Sequence, residues 1–327
     1  MQRFFDHLWY KKSAWALLLL PLAALFYLIS TQRRKHLLRK PKPKLAAPVV
    51  VVGNISVGGT GKTPLLVALV ELLQAQGFKP GVISRGYGGK AHYPYALDAT
   101  SRAEQSGDEP LLIYRRCQCP VVVSPNRLEA AQHLLAHYAV DIILSDDGLQ
   151  HYALPRDIEI VVIDGKRGLG NGFCLPAGPL RETANRLDSV DYVLVNGDSK
   201  QSFAQSAYHF RVEAQAPVAL SEQAATTSLE KSVHALAGIG NPQRFFTTLE
   251  QQGYQFEEHI FADHHAFVES DVQFADQKPV IMTEKDAVKC LHFRGLDKHW
   301  YLPVSAQLPL AFRQQFLAQI QSYISKV

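Results

Sequence analysis

Short apolar, mostly β-branched runs alternate along this chain with longer stretches in which apolar residues recur at helical spacing. The runs at 49–53, 81–84, 121–124, 141–145, 158–163 and 191–195 predict strands buried on both faces, because each is apolar without interruption. Helical periodicity fills several of the intervals. It is clearest over Pro64–Gln76, stopped by Gly77, and over Arg127–Tyr138, opened by Ser124-Pro125-Asn126 as a cap. Strands alternating with helices predict a parallel sheet covered by helices. A polar Gln/Ser/Ala-rich stretch at 198–232 marks a boundary or an irregular edge. Beyond it come strands near 233–237, 279–283 and 299–304 and helices near 242–252, 285–291 and 309–323. The predicted division is an N-terminal segment 1–44, a core 45–197, the boundary segment 198–232, and a second α/β lobe 233–327.

The N-terminal segment breaks this alternation. Ser13 to Ser30, SAWALLLLPLAALFYLIS, is free of charge and lies between Lys11-Lys12 and Arg33-Arg34-Lys35. It predicts a membrane helix near the lower length limit for spanning, with Pro21 in its middle. Trp9, Tyr10, Trp15 and Tyr27 are placed for the headgroup boundary. A cleaved signal peptide is disfavoured, since no small-x-small site follows and the next stretch is strongly basic. A buried soluble helix is disfavoured by the cationic flanks.

Charge sharpens the picture. Residues 1–44 hold ten of the 34 Lys and Arg but one of the 30 acids, so this segment is net +9 and the rest net −5, although the whole chain is +4. A nucleic-acid partner therefore loses its support, because the body that would carry a basic face is mildly acidic. The bases between Arg33 and Lys44 suit anionic lipid headgroups on the cytoplasmic side. Four cysteines, at 117, 119, 174 and 290, form neither a disulfide framework nor a paired zinc motif and fit a reducing cytoplasm.

The first strand runs into Asn54-Ile55-Ser56-Val57-Gly58-Gly59-Thr60-Gly61-Lys62-Thr63. Glycines 58, 59 and 61 remove the Cβ atoms that would keep backbone N–H groups from polyphosphate oxygens. The following helix adds its unpaired N–H groups and positive dipole end. Residues 56–63 are thus a phosphate cradle, with Lys62 as the charge for β/γ oxygens and Thr63 as a hydroxyl for Mg²⁺. In the general G-x-x-x-x-G-K-[ST] pattern the first glycine would fall at Ser56. The expected fold class is α/β, a P-loop NTPase-type parallel sheet with a second, smaller α/β lobe and an N-terminal membrane helix.

Asp146 and Asp147 end the strand DIILS, at the sheet edge where open α/β folds bind ligands, and are placed to hold Mg²⁺ as a Walker B strand does. Phosphoryl transfer to an alcohol also uses a base for the hydroxyl proton. Ser106-Gly107-Asp108-Glu109-Pro110 and Ala262-Asp263-His264-His265 each offer one. Arg181 and Glu182, in the loop after Leu175-Pro176-Ala177, are candidates for phosphate charge and the metal shell. Arg85, in a glycine loop, is a candidate contact for an anionic substrate.

Taken together, GNISVGGTGKTP, SRGYGG, SGDEP, SPNR, SDDGLQH, LPAGPLRE, DHH and TEKDAVK resemble the tetraacyldisaccharide 4'-kinase family, the lipid A 4'-kinases of Gram-negative bacteria. The resemblance runs from about residue 49 to 290 and includes the amino-terminal hydrophobic helix. It implies transfer of the γ-phosphate of ATP to the 4'-hydroxyl of a tetraacylated disaccharide 1-phosphate at the cytoplasmic face of the inner membrane. ATP and Mg²⁺ are the implied cofactors. A membrane glycolipid and an anionic phospholipid surface are the implied partners, with no nucleic acid and no obligate protein partner. By resemblance, Lys62 and Thr63 hold phosphates and Mg²⁺, Asp146 and Asp147 serve the metal, and Glu182 and His151 lie close by. Asp108 takes the substrate proton while a histidine of the DHH segment, His264 in preference to His265, orients it. Arg85, Arg127, Arg181, His151 and His265 complete the surroundings.

The competing reading is a membrane-tethered P-loop ATPase or nucleotide switch. Guanine recognition is disfavoured, because Thr283-Glu284-Lys285-Asp286 sets lysine directly before aspartate, where N/T-K-x-D is needed.

Overall fold

The computed structural model describes residues 8–10, 15–199, 201, 203, 207–226 and 228–325. It divides into two compact units, neither continuous in sequence: 1–85 with 119–212 and 306–327, and 86–118 with 213–305. These boundaries differ from the linear division read from composition, for reasons visible within each unit.

In the first unit, parallel strands stand in the order Tyr208–Ala214, Tyr192–Asn196, Ile158–Asp164, Val49–Gly53, Ile142–Asp146, Pro80–Ser84 and Val121–Val123. Every residue of Val49–Gly53, Ile142–Asp146 and Tyr192–Asn196 is buried, as expected where helices cover both faces of a parallel sheet. Because the strands are parallel, their carboxyl ends share one edge. Val52 pairs with Asp146, and Asp164 with Asn196. The phosphate-loop candidate, the Asp146-Asp147 pair and the loop after Asp164 therefore leave the sheet together.

Tyr208–Ala214 falls in the stretch read as a boundary. Its burial is patchy, which is why it carries no apolar run. The C-terminal helix Leu310–Ile324 belongs to this unit and not to the later lobe. Its Phe312, Phe316 and Ile320 are fully buried, and Phe312 meets Tyr192 edge-on at 5.2 Å.

The N-terminal expectation needs correction. Among the described residues no helix is long and apolar enough to cross a membrane. Ser13, Ala14 and the flanking Lys11-Lys12 lie outside the described residues. The remainder forms two helices, Trp15–Leu18 and Leu20–Arg39. Pro21 sits in the first turn of the second helix, where its missing N–H costs nothing, so it starts a helix instead of weakening one. That helix is apolar only to Ile29. The stretch Leu20–Ser30 rises about 16 Å, half of the roughly 30 Å hydrocarbon core. Trp9 and Tyr10 are engaged by protein: the Trp9 indole donates to the Pro176 carbonyl at 3.0 Å, and the Arg167 guanidinium lies 5.2 Å from the Tyr10 ring centre. Leu18, Leu22, Leu25 and Ile29 are exposed while Ala16 and Ala23 are buried.

The second unit carries a five-stranded sheet, Gln255–Ile260, Ser232–Ala237, Val280–Thr283, His299–Leu302 and Val218–Ala219, parallel except for the last pairing. Alternation sorts its core. Val233, Ala235 and Ala237 pack with Phe245, Phe246, Ile281 and Trp300, while Leu236 packs with Phe267, Val280 and Met282. The helix Asp108–Cys117 belongs here because polar contacts bind it to Glu284–Cys290. Arg116 meets Glu284 at 2.9 Å, and Lys285 meets Glu109 at 2.9 Å.

Candidate active site

The phosphate loop of the first unit is held from several sides. Val57 N–H donates to the Pro179 carbonyl at 2.9 Å, and Arg181 N–H to the Ile55 carbonyl at 2.7 Å. Asn196, at a strand end, donates from Nδ2 to the Thr60 carbonyl at 3.2 Å. Gly61 adopts φ +92°, and a Cβ there would meet Asn196 Nδ2 at 2.5 Å, so both conformation and space demand glycine. Gly58 and Gly59 are exposed, and Ser56 and Thr60 buried. The helix Lys62–Ala75 begins directly after Gly61 with no side chain capping it. Its first N–H groups are available to an anion, as a phosphate site requires.

Asp147 gathers the charge beside this loop. Its carboxylate lies 3.5 Å from Lys62 Nζ and 3.1 Å from an Arg181 guanidinium nitrogen. Burial alone would raise its pKa, but Lys62 and Arg181 outweigh burial and hold the carboxyl below its ordinary value. Its backbone is left-handed at φ +47°, a conformation that aspartate tolerates better than most residues. Asp146 is buried, and one oxygen accepts from the Ser84 hydroxyl at 3.1 Å. Thr63, Asp146 and Asp147 offer a hydroxyl and carboxylates, the hard oxygen donors that Mg²⁺ takes, and the donor set fits that ion.

Around this pair the sequence candidates separate. Arg127 is 3% exposed; its guanidinium donates to the Ser124 carbonyl at 3.0 Å and to the Asp146 carbonyl at 3.4 Å. Burial, partly offset by Asp146 and Asp147, brings its pKa down to about 10, so it stays charged at neutral pH. His151 Nε2 accepts from the Arg127 backbone N–H at 3.3 Å, which fixes the neutral, Nδ1-protonated ring. Burial, with Arg127, Arg33, Arg156 and Arg85 nearby, lowers its pKa to about 4. Arg85 itself is exposed.

Glu182 is engaged otherwise than expected. One oxygen accepts from Gln150 Nε2 at 2.8 Å and the other from the Tyr152 hydroxyl, with Arg186 alongside at 3.6 Å. Burial and Glu182 push the Tyr152 phenol up to about 12, which keeps it a donor. These contacts make Glu182 a brace for the loop, and Thr63, Asp146 and Asp147 offer the other metal-type oxygen donors.

In the second unit Asp108 opens a helix after Gly107, whose φ is +87° and whose added Cβ would fall 2.5 Å from the Tyr87 carbonyl. Its Oδ2 lies 3.0 Å from His264 Nδ1 and 3.8 Å from Lys289 Nζ. His264 is at φ +60° with the Tyr87 ring edge-on at 5.6 Å. His265 faces another way, pairing with Asp271 at 3.0 Å between Phe261 and Phe267. Of the two adjacent histidines, His264 is therefore the one on Asp108.

Several residues escaped sequence reading. Lys289 is 5% exposed and pairs at 2.8 Å with Asp286, which has no exposed surface and also accepts from Gly238 N–H and the Thr283 hydroxyl. The segment TEKDAVK carries part of the family resemblance and counts against guanine recognition, but neither reading gives Lys289 a role. Arg167 comes so near the phosphate loop that a Cβ on Gly58 would stand 2.9 Å from its guanidinium. Asn196 likewise touches Gly61. Nothing in the sequence marks either, since both depend on the parallel register.

Comparison with known proteins gives a consistent picture. The family model described as "Tetraacyldisaccharide-1-P 4'-kinase" (LpxK) matches residues 15–321. The tetraacyldisaccharide 4'-kinase of Aeromonas hydrophila subsp. hydrophila is 53% identical over 323 residues, 96% of this chain and 95% of that protein. That of Tolumonas auensis is 50% identical over 328 residues, 97% of each. A crystal structure of LpxK from Aquifex aeolicus in complex with ATP superposes with a TM-score of 0.76 at 26% identity, covering 94% of this chain and 99% of the other. With a family match over nearly its whole length and relatives of this similarity, the chain belongs to the tetraacyldisaccharide-1-P 4'-kinase family.

Proposed function

We infer that this chain transfers the γ-phosphate of ATP to the 4'-hydroxyl of a tetraacylated disaccharide 1-phosphate, a precursor of lipid A, at the cytoplasmic face of the inner membrane. The observation carrying the chemistry is the uncapped helix start at Lys62 beneath a three-glycine loop, with Asp147 drawn against Lys62 and Arg181. In this reading residues 56–63 take the phosphates and Lys62 leaves Asp147 for the β/γ oxygens. Arg181 and Arg167 add positive charge where negative charge accumulates. Thr63, Asp146 and Asp147 would hold Mg²⁺, which when bound neutralises phosphate charge.

The second unit handles the proton. His264 and Lys289 both address Oδ2 of Asp108, which leaves Oδ1 for the sugar hydroxyl. A carboxylate on its own is a weak base for an alcohol. Its imidazole partner gives the proton a second resting place. Most of the rate then comes from alignment and electrostatics, with the base adding roughly 10² to 10⁴-fold.

At the membrane, the exposed Leu18, Leu22, Leu25 and Ile29 together with Arg33, Arg34 and Lys35 suit attachment to an anionic phospholipid surface. The acceptor lipid is then held at the same surface. Neither nucleic acid nor an obligate protein partner enters this reading.

The deciding experiment follows label from γ-labelled ATP in mixed detergent and lipid micelles containing tetraacylated disaccharide 1-phosphate, for the intact chain and Lys62→Ala. Label in the lipid that disappears with Lys62→Ala is the expected result. Label released only as free phosphate would assign the chain to the ATPase or switch class.

A further inference from the structure

We propose that His234, Glu257 and His259 bind one zinc-type transition-metal ion, at a site separate from the nucleotide-handling residues. The three stand on adjacent parallel strands of the second unit. Glu257 and His259 are two apart on Gln255–Ile260, so they share a face, and the register sets His234 opposite Glu257 and Leu236 opposite His259. His234 Nδ1 lies 3.0 Å from His259 Nε2 and 3.9 Å from Glu257 Oε2, and the three donor atoms all fall within 4.8 Å of one another.

Two imidazoles and one carboxylate are a familiar three-ligand set for zinc with an open fourth position. Zinc–nitrogen bonds of about 2.0–2.1 Å in tetrahedral geometry separate ligand nitrogens by about 3.3 Å. The 3.0 Å gap needs to open only slightly.

A second, independent feature points the same way. The other ring nitrogen of His234, Nε2, lies 2.8 Å from Asp276, whose carboxylate is in turn held at 2.8 Å by Lys278. A carboxylate accepting from the far nitrogen of a histidine fixes the tautomer that presents a lone pair to a metal. The pair is also walled in: the Phe274 ring stacks on His234 at 3.9 Å and lies 4.3 Å from His259. His234 is buried, His259 half-buried and Glu257 exposed, so an ion would enter from the Glu257 side and keep water in the open position. With Nε2 of His234 turned to Asp276, its Nδ1 is the nitrogen that faces His259 Nε2 and the proposed ion.

The test uses the full chain without nucleotide, stripped by chelator dialysis. It is titrated with Co²⁺ by visible absorbance and with Zn²⁺ against a chromophoric chelator. The variants are His259→Ala, Asp276→Asn and, because the stacked pair His133 and His137 on one helix is a rival ligand source, His133→Ala/His137→Ala. Circular dichroism and thermal unfolding confirm that each folds. The expected result is one equivalent with a tetrahedral Co²⁺ spectrum. It should be abolished in His259→Ala, weakened about 10 to 100-fold in Asp276→Asn and unchanged in the helix double variant. No tight equivalent in the parent chain, retention in folded His259→Ala, or loss in the helix variant would each overturn the assignment.

Discussion

At the scale of single residues, the DHH segment assigns two neighbouring histidines to different work. His264 meets Asp108, while His265 is clamped between aromatic rings and Asp271. Asp108→Asn should lower kcat by roughly 10² to 10⁴-fold with little change in KM for ATP, and His264→Ala should follow it. His265→Ala should lower thermal stability with turnover of the folded fraction largely kept. Steady-state kinetics beside melting curves check this, and equal kinetic losses at 264 and 265 would refute the division. His151 makes a separate prediction. Its folded pKa of about 4 lies below the ordinary 6.5, so above pH 6.5 both folded and unfolded forms are neutral and no stability is lost. As pH falls from 6.5 to 4 the unfolded chain takes up a proton that the folded chain refuses. Folding should weaken across that window by roughly 2–3 kcal/mol. His151→Gln should flatten this part of the stability profile, measured by denaturant titration at successive pH values.

At the scale of elements, the short helix Glu284–Cys290 carries a buried charge pair. Asp286 is fully buried with Lys289 at 2.8 Å, and Lys289 also reaches Asp108 at 3.8 Å and the His265 carbonyl at 3.2 Å. Lys289→Met strands a buried carboxylate and should cost about 3–5 kcal/mol. Lys289→Met/Asp286→Asn should recover much of that stability. It should not recover turnover if Lys289 also steadies Asp108. Chemical unfolding and kinetics on the same samples separate the two effects. The strands that hold the phosphate loop were legible because each is a continuous apolar run, and the loop itself because three glycines, a lysine and a threonine carry a mechanism. Gln255–Ile260 and Tyr208–Ala214 were not: both carry several exposed residues between half-buried ones, and neither shows an apolar run. Arg167, Asn196 and Lys289 were hidden for another reason, since their importance arises from register and packing between distant segments.

At the scale of the whole molecule, the two compact units group the chain differently from the linear division drawn from composition. Residues 86–118 are joined to the second unit by ion pairs, and 306–327 to the first by aromatic packing, neither of which follows from proximity in sequence. The N-terminal segment reads in sequence as an uncharged membrane helix, but its described residues fall in two helices, the second of which runs on into Arg33-Arg34-Lys35. Among the described residues no helix is long and apolar enough to cross a membrane. In the proposed attachment to a membrane surface, the exposed stripe Leu18, Leu22, Leu25 and Ile29, spaced to lie along one side, would carry the apolar contact. Replacing all four by glutamine should reduce co-flotation with anionic vesicles by about tenfold or more while the melting temperature stays put. Raised salt should weaken the parent's binding by screening the basic run. Unchanged flotation of the folded variant would remove the stripe from membrane binding.

The discontinuity of the first unit also sets a timetable for synthesis. Its sheet begins with Val49–Gly53, yet Phe312, Phe316 and Ile320, which bury themselves completely, belong to a helix made more than two hundred residues later. While the ribosome works through the intervening chain, the surface destined for those side chains waits uncovered, and domains that fold as units cannot close early. A nascent chain interrupted before residue 310 would carry every residue of the phosphate loop and both members of the Asp108–His264 pair, and still lack the piece that seals the nucleotide-binding unit. Such fragments should be prey for chaperones and proteases until Leu310–Ile324 has been made and packed.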